Sequence, residues 1–254
     1  MTDYRADLAA KTQPAVMADR VKRTQAIYSQ IGGWIDKYRG GMPRGFAAAA
    51  VQWESDGIAT TVGDPSLGEY GYYQVTAEFP PTIGLPASTR MDPETNVFLG
   101  LLDYQIAAAR LAAANKSIAL GTADSWKLAR LSFAIGYGGT QSLVAAACAW
   151  RSPAYGRVYD TVVAYVDAGN AVVAGSQSAD LVWYRVHTVQ VVWDIGQRAF
   201  PFQTVGPPTI VPSPPTGIYA LPAAVASSFS RPLSTAVALL AAGIGILAIW
   251  RFSS

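Results

Sequence analysis

Glu54 is the side chain on which chemistry can be built. It lies near the end of residues 43–55, PRGFAAAAVQWES. The alanines there favour helix strongly, and Pro43 suits a first turn. In such a helix Ala47, Val51 and Glu54 share one face by i, i+4, i+7 spacing. A carboxylic acid is then expected at the end of an apolar stripe, where desolvation favours the neutral form. A carboxyl that keeps its proton near neutral pH can donate it to a leaving oxygen, the first requirement for cleaving a glycosidic bond. The competing reading is a helix-end glutamate facing water. Residues 68–74, GEYGYYQ, place two glycines three apart and Gln74 three later. Glycine permits close backbone approach or a positive φ. Gln74 offers a donor and an acceptor, as an acetamido or hydroxyl group requires. Tyr70, Tyr72 and Tyr73 offer flat faces with polar tips, useful against sugar rings, with ordinary core packing the alternative for at least one.

The elements that must position these residues read as helices. Residues 15–38 carry a stripe of Val21, Ala26, Ile27, Ile31, Trp34 and Ile35. The helix through Glu54 has a plausible stop at Gly57. Residues 57–88 are rich in Gly and Pro and read as loops with at most short strands. Helical periodicity returns over 96–114, and Asp124 is the expected N-cap of a helix carrying Leu128, Leu131 and Ile135. Further helices are expected around 144–150, 158–166 and 181–193, although valines weaken the last two.

Four short elements in order carry a resemblance. Glu54-Ser55, then Gly68-x-x-Gly71-x-x-Gln74, then Asn96-Val97-x-x-Gly100, then residues 132–139, SFAIGYGG, resemble the lysozyme-like lytic transglycosylases of the soluble type. In that family an ES pair ends a helix, a GxxGxxQ loop follows, and N-[IV]-x-x-G and AYNAG elements come after. The resemblance covers roughly residues 41–170 and implies a mainly α (α+β) lysozyme-like fold. It implies that Glu54 is the sole catalytic acid and base, that Ser55 fixes the helix end and the groove, and that Gln74 lines the sugar cleft; Tyr73, from its place in the loop, is the tyrosine expected to bind sugar with it. Asn96 and Gly100 would shape the supporting helix. Tyr165, with Val166, matches a late YV element whose tyrosine faces the catalytic glutamate. Phe133 and Ala134 depart from the family's Tyr-Asn pair, and Tyr137 is near enough in sequence to supply the missing hydroxyl. Glu69, Asp56 and Asp64 are candidates for a second carboxylate, which would turn the outcome from transglycosylation to muramidase-type hydrolysis. The implied reaction cleaves the bond between N-acetylmuramic acid and N-acetylglucosamine, needs no cofactor and no metal, and closes a 1,6-anhydro ring.

Composition sets the surroundings. Hydrophobic residues make up 51% and charged residues 14%, against roughly 25% charged in soluble domains. A formal net charge of +2 is too balanced to argue for nucleic acid by electrostatics. One cysteine and one histidine leave little for a Cys/His zinc site. A cysteine-dependent amidase using Cys148 and His187 is the weaker alternative, since Cys148 sits in an Ala-rich run and reads as core. Residues 232–250 are free of charge and as a helix would reach about 28 Å, close to a hydrocarbon core of roughly 30 Å. Eight of the 16 prolines fall between Pro201 and Pro232, which favours extended chain. The expected organisation is an N-terminal helical extension (1–40), a transglycosylase domain (41–199), a Pro-rich linker (200–231) and a transmembrane helix (232–251). With no export signal legible at the N-terminus, the expected setting is a phage particle or ejection apparatus whose membrane-anchored enzyme opens the wall for genome entry. Its expected partners are peptidoglycan strands, a lipid bilayer and other virion membrane proteins. A glycan-binding structural protein of a virion or secretion channel is the alternative.

Overall fold

The computed structural model describes residues 3–170, 177–201 and 203–208; the expected transmembrane helix and the linker from residue 209 on lie outside them. The apolar stripe of residues 15–38 forms α2 (Pro14–Tyr38), with Pro14 at its start as its fixed φ favours. A short helix not foreseen, α1 (Tyr4–Lys11), precedes it, capped by the Asp3 carboxylate, which accepts from the N–H groups of Arg5 and Ala6. The alanine run forms α3 (Arg44–Ser55). From Phe46 to Val51 every residue of α3 is fully buried; a helix apolar on all sides belongs inside. It lies between α2 and α9 (Ala179–Ala199). Small residues permit that: a Cβ on Gly45 would fall 2.2 Å from the Gly196 carbonyl oxygen on α9.

The second central helix is α5 (Pro93–Ala114). It begins three residues before the expected start because Asp92 caps it, accepting from the Thr95 N–H at 2.8 Å. α5 is long and apolar enough to cross a membrane, but 72% of its most apolar window is buried within the protein, which makes it a core helix. Against it pack α6 (Ala123–Ile135) and α7 (Tyr137–Trp150), and α8 (Val158–Asp167) packs on these two and on α9. The cap of α6 is Thr122, not Asp124. The Asp124 carboxylate instead crosses to α8 and accepts from the N–H groups of Val158 and Tyr159 at 3.1 and 2.6 Å. An acceptor one residue inside one helix start can satisfy the free donors of another.

Two hydrophobic clusters result. One joins α2, α3 and α5 with the end of α9; the other joins α6, α7 and α8 with the start of α9. Ile27, Ile31, Ile35 and Tyr38 of α2 are part of the first, so α2 is built into the helical body. Residues 203–208 are likewise held to it. The Gly206 N–H donates to the Gly41 carbonyl, the Trp126 indole donates to the Gly206 carbonyl, and the Gln203 amide accepts from the Gly45 N–H. The expected linker therefore starts with a strap on the globule. The fold is mainly helical, and the β contribution among the described residues is confined to single bridges, Val62 with Tyr70 and Tyr70 with Val75. Between them and α5 lie α4 (Phe79–Thr82) and a 3-10 turn, Ala87–Met91.

Candidate active site around Glu54

The last turn of α3 carries Glu54 to the edge of the buried core. The helix ends at Asp56 in the left-handed conformation (φ 51°), followed by Gly57 (φ 80°). That reversal sends the chain into the 57–75 loop, which returns beside α3. Ser55 ties the two together. Its hydroxyl lies 3.1 Å from the Val51 carbonyl and 3.0 Å from that of Tyr72, and its single proton can serve one at a time. The expected role of Ser55, fixing the helix end, matches this geometry; it is buried at 6% exposure, so its part is positional.

The loop is gripped from the other side by α5. Asn96 accepts from the Tyr73 N–H at 3.0 Å and donates to the carbonyls of Tyr70 and Arg90 at 2.8 and 2.9 Å. Gly71 must be glycine: its φ is +83° and a Cβ would lie 2.4 Å from the Asn96 amide nitrogen. One turn along α5, a Cβ on Gly100 would lie 2.3 Å from the Tyr73 ring, so Gly100 is the slot for that ring. The N-x-x-x-G spacing of Asn96 and Gly100 thus presents an amide and a gap on one helix face.

This placement corrects two expected sugar contacts. Tyr73 is fully buried and its hydroxyl donates to the Ala47 carbonyl at 3.0 Å; it is a core ring that docks the loop. Gln74 is 4% exposed, and its amide donates to the carbonyls of Gly71 and Thr61. It holds the left-handed region (φ 50°) without being glycine, a conformation that costs energy, and its amide oxygen is buried without a partner among the described residues. Of the loop's tyrosines Tyr70 and Tyr72 are half-buried, and burial raises the Tyr72 phenol above the ordinary value. These two are better placed than Tyr73 to meet a ligand.

Glu54 itself does not sit in an apolar pocket. Its Oε1 pairs with the guanidinium of Arg130 on α6, while the side chain keeps 20% of its surface exposed. Arg130 is 4% exposed and donates its other terminal nitrogen to the Tyr104 hydroxyl at 2.7 Å. Burial works against the arginine's charge, but Glu54 and Tyr104 outweigh it and hold the guanidinium above its usual range. Burial also raises the Tyr104 phenol. The apolar surroundings expected for Glu54 are replaced by this ion pair because α6 points Arg130 inward. Trp126, Arg130 and Phe133 follow i, i+4, i+7 spacing, a cation within an apolar stripe. That pattern was the available signal for Arg130, which sequence reasoning missed together with Tyr104.

Phe133, which departs from the family's tyrosine, lies beside the Arg130–Tyr104 pair: its ring is edge-on to Tyr104 at 5.3 Å, with the Arg130 guanidinium 5.5 Å away. Tyr137 and Tyr165 lie elsewhere. The Tyr137 ring carries the Arg110 guanidinium at 3.9 Å, and the Tyr165 ring packs edge-on against Trp150; both border the second hydrophobic cluster, not the first. The candidate second carboxylates are each engaged in local structure. Asp56 accepts from the Gln52 amide, Asp64 from the Ser66 backbone and hydroxyl, and Glu69 from the Asp64 N–H. Cys148 accepts a long contact from Asn115, whereas His187 bonds Asp167, so the two do not form a thiol–imidazole pair. Among the described residues no cluster of three or more His, Cys, Asp or Glu side chains stands ready for a metal ion. No family model matches the chain, and no curated protein or solved structure matches it.

Proposed function

We propose that the protein cleaves peptidoglycan glycan strands as a lytic transglycosylase, with Glu54 as the one group that gives and takes the proton. The observation that carries this reading is convergence. Three of the four sequence elements interlock beside one part-exposed carboxyl group, and the residue two positions before the fourth pairs with it: Ser55 clamps the Tyr72 carbonyl, Asn96 and Gly100 clamp Tyr73, and Arg130 meets Glu54.

In the reaction, protonated Glu54 donates to the oxygen bridging N-acetylmuramic acid and N-acetylglucosamine. The C1–O bond breaks, and its electron pair leaves with that oxygen. Asp56, Asp64 and Glu69 are tied up in turns, so the substrate's own acetamido group is the natural partner for the positive charge growing at C1. Glu54, now a carboxylate, removes the proton of the C6 hydroxyl as that oxygen closes on C1. The half-buried ring of Tyr72 offers a flat surface to the sugar. The charge-free run at 232–250 fits delivery to the wall on a membrane, in the manner of a virion-borne enzyme that opens a local hole.

Mass spectrometry of fragments released from purified peptidoglycan tests the assignment. The full chain is expected to release anhydro-muramyl ends and Glu54→Gln none. Reducing ends would mean hydrolysis, and intact strands would refute the enzymatic reading. A second reading has its own support: the Glu54–Arg130 pair and the Phe133-Ala134 departure also suit a glycan-binding structural protein without catalysis. In that case wild type and Glu54→Gln bind sacculi alike and neither cuts them.

A further inference from the structure

We propose that Arg130 is a positioning residue for Glu54: its guanidinium fixes the Oε1 edge of the carboxyl group, leaves Oε2 as the oxygen that carries the proton, and receives the negative charge when that proton departs. The proposal rests on the reading of Glu54 as general acid and deepens it.

A long basic side chain is an unusual occupant of a helix's inner face. Arg130 is 4% exposed, and a buried cation needs a charged partner and hydrogen bonds. It has both, in a forked arrangement. One terminal nitrogen meets Glu54 Oε1 and the other donates to the Tyr104 hydroxyl at 2.7 Å. The guanidinium is rigid and planar, so the second arm sets the direction of the first. Tyr104 in turn cannot shift freely. It is fully buried, edge-on to Tyr73 at 6.0 Å and to Phe133 at 5.3 Å. The orientation of Glu54 on α3 is thereby set by α5 and α6 and by the ring that docks the loop.

The chemistry uses this fork twice. When Oε2 hands its proton to the bridging oxygen, negative charge grows on the carboxyl group. A cation already in place, with no solvent to reorganise, stabilises that charge as it develops. When the carboxylate takes the C6 hydroxyl proton, the reverse transfer occurs on the same oxygen. The charged and titratable groups around the fork are Glu54 on α3, Tyr104 and Asp103 on α5, and Tyr73 in the loop. None of these carries positive charge, which Arg130 itself supplies.

The test compares the full chain with Arg130→Met and Arg130→Lys. Glycan cleavage is followed against substrate concentration. Arg130→Met is expected to lower maximal turnover about 100-fold with KM little changed. Arg130→Lys restores charge without the fork, so it should not restore the turnover. Should Arg130→Met fail to fold, Tyr104→Phe removes the second arm alone and is expected to lower turnover about tenfold with KM little changed. Unchanged turnover in Arg130→Met, or full turnover in Arg130→Lys or Tyr104→Phe, overturns the assignment while the enzymatic reading stands. A wild-type chain that leaves glycan intact overturns both.

Discussion

Replacing Asn96 separates a residue that shapes the site from one that touches substrate. Asn96 is 1% exposed and makes three hydrogen bonds to the backbone of the loop and the turn before α5. In Asn96→Ala the Tyr73 N–H loses its acceptor in a buried place, a cost of about 1–3 kcal/mol. The Tyr70 carbonyl still accepts from Val75, so it and the Arg90 carbonyl lose about 0.5–1.5 kcal/mol each. The total is about 2–6 kcal/mol, against a typical domain stability of about 5–15 kcal/mol. The chain should fold with a lowered urea midpoint and an unchanged denaturant slope. The loss should concentrate in the loop, read as faster hydrogen exchange at the Tyr73 amide than in α6. Asn96→Asp sharpens the argument. It keeps the acceptor for Tyr73 but turns an oxygen toward two carbonyls and buries a charge. It should therefore be less stable than Asn96→Ala at pH 7 and regain stability on acidification, as a carboxyl proton restores one donor. A loss under about 0.5 kcal/mol in Asn96→Ala, or an Asn96→Asp variant indifferent to pH, refutes the view that this amide holds the loop.

Two further outcomes follow from the fold. Gly41→Ala places a Cβ 2.2 Å from the Pro207 carbonyl oxygen, so the strap should detach at a cost of about 1–3 kcal/mol, and limited proteolysis should cut near residue 206 at a rate where wild type resists. The Asp124 carboxyl is raised above its ordinary value by burial, with the Tyr159 and Val158 N–H groups pulling the other way. The folded state then binds this proton more tightly than the unfolded chain, and its contribution to stability falls as pH climbs from about 3.9 through the raised folded value. Asp124→Asn removes that component, so wild-type stability minus variant stability should decline with rising pH across this window and level off above it. A constant difference from pH 3.5 to 7, measured by urea unfolding, would count against it.

The helices were legible where one local rule dominates. The stripe of Val21, Ile27, Ile31 and Ile35, and the alanines before Glu54, reappear as α2 and α3 within one or two residues. Asp124 shows where such reasoning stops. An aspartate next to a helix start is a sound cap by local rules, but its carboxylate was claimed by α8, 34 residues on. α1 carries no buried residue and so lacks the periodic signal. Arg130 escaped because its partner is 76 residues earlier, and a single basic residue in a helix ordinarily reads as solvated.

The tyrosine-rich loop carries a wider point about what a short motif encodes. Of the residues that define the resemblance, Ser55, Gly71, Gln74, Asn96 and Gly100 are all buried. Their bonds run to one another's backbone, and their glycines are gaps into which an amide or a ring fits. A spacing pattern of this kind constrains how a loop must fold against two helices; it constrains the chemistry only through the group that the fold leaves open. Here that group is Glu54, with the Tyr72 backbone tied to its neighbour Ser55. Around a glutamine at position 54 the buried Arg130 keeps an amide oxygen but loses its charged partner, so the scaffold should form with lowered stability. Glu54→Gln then separates scaffold from chemistry by two readouts: the clamps of Ser55 and Asn96 and the docked strap should survive with a lower urea midpoint, and proton transfer should be lost altogether.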